Sequence, residues 1–241
     1  MNKLSIIIPV LNEEKTVETV LKKINELVIP EWERQIIVVD DGSQDSSKAR
    51  VQNAKFQFKI QNLIILAHDT SQGKGAAIKT ALGSVTGNYV IIQDADLEYD
   101  PREIPALIKE ISDANCSVVY GSRNLHPDRR GYLHYVLGAA FLTWFVNALC
   151  HSRLTDAYTG YKLIPTALLR SINLVSRGFE FEAEVTVKIL KKGIKIREIP
   201  IRYYPRKFSE GKKIKFTDGF RGLASIIKFY FVSLLAHMRE K

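Results

Sequence analysis

Tyr89-Val90-Ile91-Ile92-Gln93-Asp94-Ala95-Asp96-Leu97-Glu98 is the stretch on which the reading of this sequence turns. Its first half is a short apolar run rich in β-branched residues, the pattern of a strand buried on both faces. Its second half is acidic, with aspartates at i and i+2 and a glutamate two residues on. Where the strand breaks at that point, both aspartates can address one hard divalent cation, and Glu98 can supply a further oxygen. Mg2+ or Mn2+ takes few protein oxygens and completes its shell with water and substrate phosphate. An isolated pair of this kind is equally well a solvated strand-to-loop turn, so its company in the chain decides.

Outward from this stretch, runs of the same character lie at 4–8, 36–40, 63–67 and 117–120, alongside 89–93. Helical patterns separate them, near 13–28, 44–56, 73–86 and 102–113. Strands alternating with helices predict an α/β fold with a mainly parallel sheet and flanking helices. Ligands in such sheets bind beyond the carboxyl ends of the strands, which is where Asp94, Asp96 and the pair Asp40-Asp41 fall. In Val38-Val39-Asp40-Asp41-Gly42-Ser43, one aspartate can accept from a ribose hydroxyl or a base N–H. The same turn also suits a helix N-cap through Ser43 or Asp45. Pro9 frees the end of the first strand from the ladder, and Asn12 and Glu13 then open a helix. Gln72-Gly73-Lys74-Gly75 opens another and reads as a phosphate-facing loop, without Walker spacing. The second half is less regular, with a strand near 196–203 and a final helix near 217–237.

The chain has 241 residues, 46% apolar and 25% charged, which is ordinary globular composition and excludes a disordered or collagen-like chain. Two cysteines, Cys116 and Cys150, exclude a disulfide scaffold and a four-cysteine zinc site, and fit a reducing compartment. The five histidines have no metal-ligand spacing. The formal charge of +9 is concentrated: residues 1–190 carry 21 Lys and Arg against 22 Asp and Glu, and residues 191–241 carry 14 against 4. A basic end on a neutral body implies a polyanionic partner. Leu4 to Leu11 is too short for a signal-peptide core, and Asn12-Glu13-Glu14 stands where a small-residue cleavage site belongs. Gly131 to Cys150 has no formal charge and the length of a membrane span. His134, Thr143 and Asn147 interrupt it, and a span there would separate the two halves of one site. A helix in the membrane interface, with Tyr132, Tyr135 and Trp144 as interfacial aromatics, and a buried core or dimer helix both remain open. Leu223 to Ala236 reads as a second interfacial or packing helix.

Taken together, Ser5–Glu14 (SIIIPVLNEE), Val38–Ser43 (VVDDGS), Gly73–Ala77 (GKGAA), Asp94–Glu98 (DADLE) and Gly121–Arg123 (GSR) resemble family 2 glycosyltransferases of the GT-A fold. Thr155–Lys162, Phe179–Glu182 and Glu198–Ile201 continue the resemblance over nearly the whole chain. Within the family, the sequence is similar to the dolichyl-phosphate mannosyltransferase-like branch. That resemblance implies a single domain, with a nucleotide-sugar-binding half at 1–122 and an acceptor- and membrane-facing half at 123–241. It implies that Pro9, Leu11, Glu13, Val39 and Asp41 hold the base and ribose, and that Asp94 and Ala95 line the donor pocket. Asp96 and Glu98 would bind Mg2+ or Mn2+ on the diphosphate; Arg123, Arg206 and Lys212 would contact phosphates. Asp94, Asp96 and Arg123 are the expected catalytic residues. Leu11 stands where the eukaryotic mannosyltransferases have a tyrosine, so base stacking there is lost.

The activity implied is inverting transfer of a hexose, mannose or glucose, from a nucleotide-diphosphate sugar to a polyprenyl phosphate, with GDP-mannose favoured. The attacking phosphate is already anionic and needs no general base; metal and arginines stabilise the leaving diphosphate and screen the approach. Arg123, Arg129 and Arg130 are the candidate acceptor-phosphate ligands, and a bare Arg129-Arg130 pair is also a solvated helix flank. Arg202 to Lys215 reads as a basic lid over the diphosphate. The expected location is peripheral, on the cytoplasmic face of the membrane, docked through 131–150 and 217–237. A homodimer or a membrane-subunit partner is left open, and nucleic acid is not expected. Two other readings stand beside this one: transfer to a glycan or glycolipid hydroxyl with Asp156 as base, and a non-catalytic nucleotide-sugar-binding subunit.

Overall fold

The computed structural model describes residues 2–113, 116–128, 132–206 and 221–231. The first half alternates β1 (Asn2–Val10), α1 (Val17–Asn25), β2 (Trp32–Asp40), α2 (Ser47–Gln57), β3 (Leu63–Ala67), α3 (Lys74–Leu82) and β4 (Tyr89–Ile92). A 3-10 turn (Pro101–Glu103) then runs into α4 (Ile104–Asp113), followed by β5 (Val118–Ser122) and α5 (Leu133–Cys150). The chain continues through β6 (Lys162–Pro165), α6 (Thr166–Ser171), α7 (Phe181–Lys191) and β7 (Ile196–Pro200). The strands form a seven-stranded sheet in the order β3-β2-β1-β4-β6-β5-β7. All neighbours pair in parallel except β6, which runs antiparallel to both β4 and β5.

Strand alternation explains the layers. Leu4, Ile6 and Ile8 of β1 point to one face and pack with Val20, Leu21 and Ile24 of α1, Val51 of α2 and Leu107 of α4. Ile7 points to the other and packs with Ala77 and Ile78 of α3 and Phe181 and Val185 of α7. Burying each such side chain contributes about 1.5–3 kcal/mol, which is why the central strands read as unbroken apolar runs. From β1 the chain moves outward to β2 and β3, then returns to place β4 on the other side of β1. The resulting crevice lies at the carboxyl ends of β1 and β4, the switch point where doubly wound sheets bind ligands.

Three local features differ from the expectations. β1 continues through Pro9, which sits opposite Val39, so the proline does not end the strand. α1 starts at Val17, because residues 12–14 bond instead to the loop after β2 and the start of α2: the Asn12 and Glu13 amides donate to the Ser43 and Ser47 hydroxyls, and the Glu14 amide to Asp45. Strand β6 is the third, a four-residue run whose lysine and proline carry little strand signal in the sequence.

A smaller apolar cluster joins Leu142 and Val146 of α5 to Ala183 and Val187 of α7 and to Ile226 and Phe229 of the helical segment 221–231. The opposite row of α5, Leu137, Phe141 and Trp144, is exposed, with the Phe141 and Trp144 rings stacked 6.1 Å apart. Among the described residues no helix is long and apolar enough to cross a membrane.

Candidate functional site

The acidic turn after β4 is shaped by its backbone. Leu97 adopts a left-handed φ of 63°, which a branched side chain seldom occupies, and the turn is closed by the Glu98 amide donating to Asp96 Oδ1 at 3.0 Å. Asp96 and Glu98 are thereby turned toward the loop after β1. Across them lies the segment after β7. The Tyr204 amide donates to the Glu98 carbonyl at 2.9 Å, the Tyr203 hydroxyl to Glu98 Oε2 at 2.7 Å, and the Arg206 amide to Glu98 Oε1 at 2.9 Å.

The Arg206 guanidinium completes the cluster. Its Nη1 lies 3.0 and 3.1 Å from the Glu13 oxygens and its Nη2 3.0 Å from Asp96 Oδ2. Its buried Nε has no hydrogen-bond partner and sits 4.0 Å from Glu98 Oε1. Burial, with Asp94 and Glu98 close by, pushes the Asp96 carboxyl up to about 7, against the pull of Arg206. An all-oxygen, charge-excessive set of this kind fits a hard cation. Among the described residues no group of three or more His, Cys, Asp or Glu side chains is placed to hold a metal ion, so any ion here would rest on fewer protein oxygens. An open site is the usual form for Mg2+, which is held by one or two carboxylates plus substrate phosphates.

Asp94 faces the other way. Lys74 Nζ lies 2.7 Å from Asp94 Oδ1 and 3.0 Å from Glu182 Oε1, and Glu182 Oε2 takes the ammonium of the fully buried Lys162. Desolvation opposes the Lys74 charge, but Asp94 and Glu182 outweigh it and raise its pKa. Burial lowers Lys162 despite Glu182. Gly160 makes room for this arrangement, since a Cβ there would sit 2.8 Å from Asp94 Oδ2. Lys74 is therefore an internal partner of Asp94. The glycine loop that carries it packs on the chain as well: a Cβ at Gly75 would meet the Ser176 carbonyl at 2.6 Å, and the Ala76 amide donates to the Arg177 carbonyl. Glu184, two residues from Glu182, points elsewhere and accepts from the Val175 and Ser176 amides.

Asp41 is a holding group. It accepts from the Ser71 hydroxyl at 2.8 Å and from the Gln72 and Gly73 amides at 2.9 and 2.8 Å, and pairs with His68 Nδ1 at 2.6 Å. Burial raises its pKa, but these bonds together hold it below the usual carboxylate value. Its neighbour Asp40 is buried, with an Oδ1 that has no hydrogen-bond partner. Val39 is buried at the end of β2, Leu11 follows β1 half-buried, and Ala95 is buried within the acidic turn.

Arg123 ends up beside Asp156. Its Nε and Nη2 each lie 2.7 Å from a separate Asp156 oxygen, and its amide donates to the same carboxylate. Glu198 in turn accepts from the Thr155 and Asp156 amides. The Arg123 guanidinium also sits 5.2 Å over the Tyr203 ring, so Tyr203 links this pair to Glu98. Asp156 is thus a buried counter-ion of Arg123, not a helix cap. Arg129, Arg130 and Lys212 lie outside the described residues.

The structure therefore brings Glu13, Asp96, Glu98 and Arg206 together and leaves Asp94 and Arg123 each with its own internal partner. Sequence reasoning missed His68, Tyr203 and Lys162. No spacing rule reveals them, because their partners lie 27, 105 and 20 residues away.

Residues 5–166 match the family model described as glycosyl transferase family 2. The low-salt glycan biosynthesis hexosyltransferase Agl6 of Haloferax volcanii is 28% identical over 90% of this chain, and the chain spans 51% of that relative's length. An uncharacterized protein of Methanocaldococcus jannaschii is 28% identical over 94% of this chain and 98% of its own. Among solved structures, glucosyl-3-phosphoglycerate synthase of Mycobacterium tuberculosis with Mn2+, UDP and phosphoglyceric acid shares the fold at a TM-score of 0.72. It is 19% identical, over 95% of this chain and 78% of that one. The same enzyme with Mg2+ and UDP gives 0.72 at 20% identity, over 95% and 79% of the two chains.

Proposed function

The chain belongs to glycosyl transferase family 2, and on that premise we propose that it moves a hexose from a nucleotide-diphosphate sugar to a polyprenyl phosphate at a membrane surface. The observation that carries the choice of acceptor is Asp156. It is fully buried and both its oxygens are engaged by Arg123, an arrangement that suits a counter-ion better than a base for an acceptor hydroxyl. An anionic phosphate needs no such base. The exposed row Leu137, Phe141 and Trp144 on α5 supports a lipid acceptor, since it suits a helix lying at the headgroup level.

In this reading Asp96, with Glu98, would hold Mg2+ or Mn2+, which would supply positive charge for the leaving diphosphate. The protein's residues do the rest. Asp41, clamped by His68, Ser71, Gln72 and Gly73, fixes the loop beside the nucleoside pocket. Asp40 Oδ1, at the end of β2 and without a partner, is the acceptor for a ribose hydroxyl or base N–H. Lys74 holds Asp94 toward the donor sugar. Arg123, kept in place by Asp156 and Tyr203, screens the approach of one phosphate to another. Arg129, Arg130 and Lys212 are further phosphate ligands. Docking is peripheral, on the cytoplasmic face, through 131–150 and the basic C-terminal segment.

The test is to incubate the protein with labelled GDP-mannose or UDP-glucose, Mn2+, and either polyprenyl phosphate or a lipid-linked sugar, and to extract the lipid product. GDP-mannose is the favoured donor. Label passing to the polyprenyl phosphate is the expected result. Label passing only to the lipid-linked sugar would replace this acceptor with a glycan hydroxyl.

A further inference from the structure

The geometry points to Arg206 as the resident cation of the metal site, holding Glu13 and Asp96 until a divalent ion arriving with a nucleoside diphosphate displaces it onto the phosphates. The inference rests on the metal reading above, and three observations carry it. Arg206 puts two nitrogens on two carboxylates from different strand-end loops, Glu13 after β1 and Asp96 after β4. Those loops otherwise meet with charges of one sign. Its backbone is fixed separately, through the amide on Glu98 Oε1, with Tyr203 and Tyr204 also bonded to Glu98. The guanidinium can therefore leave while the segment stays anchored. And its Nε is buried without a hydrogen bond, 4.0 Å from the nearest Glu98 oxygen. That donor forfeits free energy where it is, and a phosphate oxygen would satisfy it.

The charge balance gives the direction of coupling. Glu13, Asp96 and Glu98 around one guanidinium leave an excess of negative charge. A metal ion entering alone must displace or approach a cation of like sign. A metal ion entering with a diphosphate brings Arg206 a replacement partner, with which the guanidinium forms forked hydrogen bonds. Binding of ion and nucleotide are then coupled through Arg206, and the coupling is reciprocal. Arg206 acts as a binding determinant that disfavours metal without donor.

The experiment measures Mn2+ binding to the full chain by electron paramagnetic resonance, without nucleotide, for the wild type, Arg206→Gln and Arg206→Lys. Arg206→Gln is expected to bind Mn2+ about tenfold more tightly than the wild type, within the usual range of coupling between sites. Arg206→Lys, which keeps the charge, should stay near the wild type. A second series adds UDP or GDP: the nucleotide should raise Mn2+ affinity more in the wild type than in Arg206→Gln. Equal or weaker Mn2+ binding by Arg206→Gln, including no binding by either protein, overturns the inference. Adding Asp96→Asn to Arg206→Gln separates the two levels. Loss of the gained affinity keeps the site where it is placed, and its persistence overturns the metal assignment itself.

Discussion

Asp41 and Asp96 both follow strand ends in the crevice, yet their surroundings differ in sign. Asp41 is surrounded by donors that together hold its pKa below the usual value of 3.8, whereas Asp96, desolvated beside Asp94 and Glu98, is pushed up to about 7. A depressed folded pKa contributes stability that is full above the unfolded value and is lost as pH falls through the folded one. The melting-temperature advantage of the wild type over Asp41→Asn should thus be constant at neutral pH and shrink below about pH 4. An advantage independent of pH would mean that the clamp does not depend on the ionised carboxylate. Asp96→Asn should leave the melting temperature close to the wild type's and lower turnover by about a hundredfold or more, as expected for a group that organises leaving-group stabilisation. The role of Asp96 is legible from its spacing, because Asp94, Asp96 and Glu98 are neighbours in sequence. The clamp on Asp41 is not legible, because it exists only once β2 and β3 pair and bring residues 68–73 beneath it.

Among the elements, α5 shows where sequence pattern stops short. Its apolar length leaves a membrane span, an interfacial helix and a core helix all open. Packing divides the helix into a face against α7 and 221–231 and an exposed row that no described residue covers. Glutamate at Phe141 or Trp144 should therefore weaken flotation on anionic vesicles by about tenfold each, the equivalent of withdrawing one buried apolar side chain. Melting temperature should barely move, since both side chains already face outward. Unchanged flotation would remove α5 from the docking surface. Strand β6 is the opposite case, an element whose composition argues against it. Lys162 is buried at its start and tolerated because Glu182 meets it from α7.

At the scale of the molecule, the +9 charge resolves into a basic C-terminal segment and a neutral body: Lys74 pairs with Asp94 within the body, and Arg206 of the basic segment reaches Glu13 and Asp96. Lys162, Glu182, Lys74 and Asp94 form a line of alternating charge from the sheet centre to the crevice, joining β6, α7, α3 and the turn after β4. Removing Lys162 leaves Glu182 to share Lys74 with Asp94 and the line one positive charge short, so Lys162→Met should cost up to about 3 kcal/mol in denaturant unfolding. Lys162→Met with Glu182→Gln should recover much of that loss, because both buried charges go together. The first half of the fold, with its acids at local strand ends, could be read from the chain directly. The second half could not, since β6 reverses direction and the segment after β7 reaches Glu98 across more than a hundred residues. The central claim, transfer to a phosphate, is tested most directly by the bond in the product. With labelled donor, Mn2+ and matched polyprenyl phosphate and polyprenol, the protein should label only the phosphate, and mild acid should release the sugar from that glycosyl phosphate. A product formed equally from polyprenol, with its sugar retained in mild acid, would contradict the account.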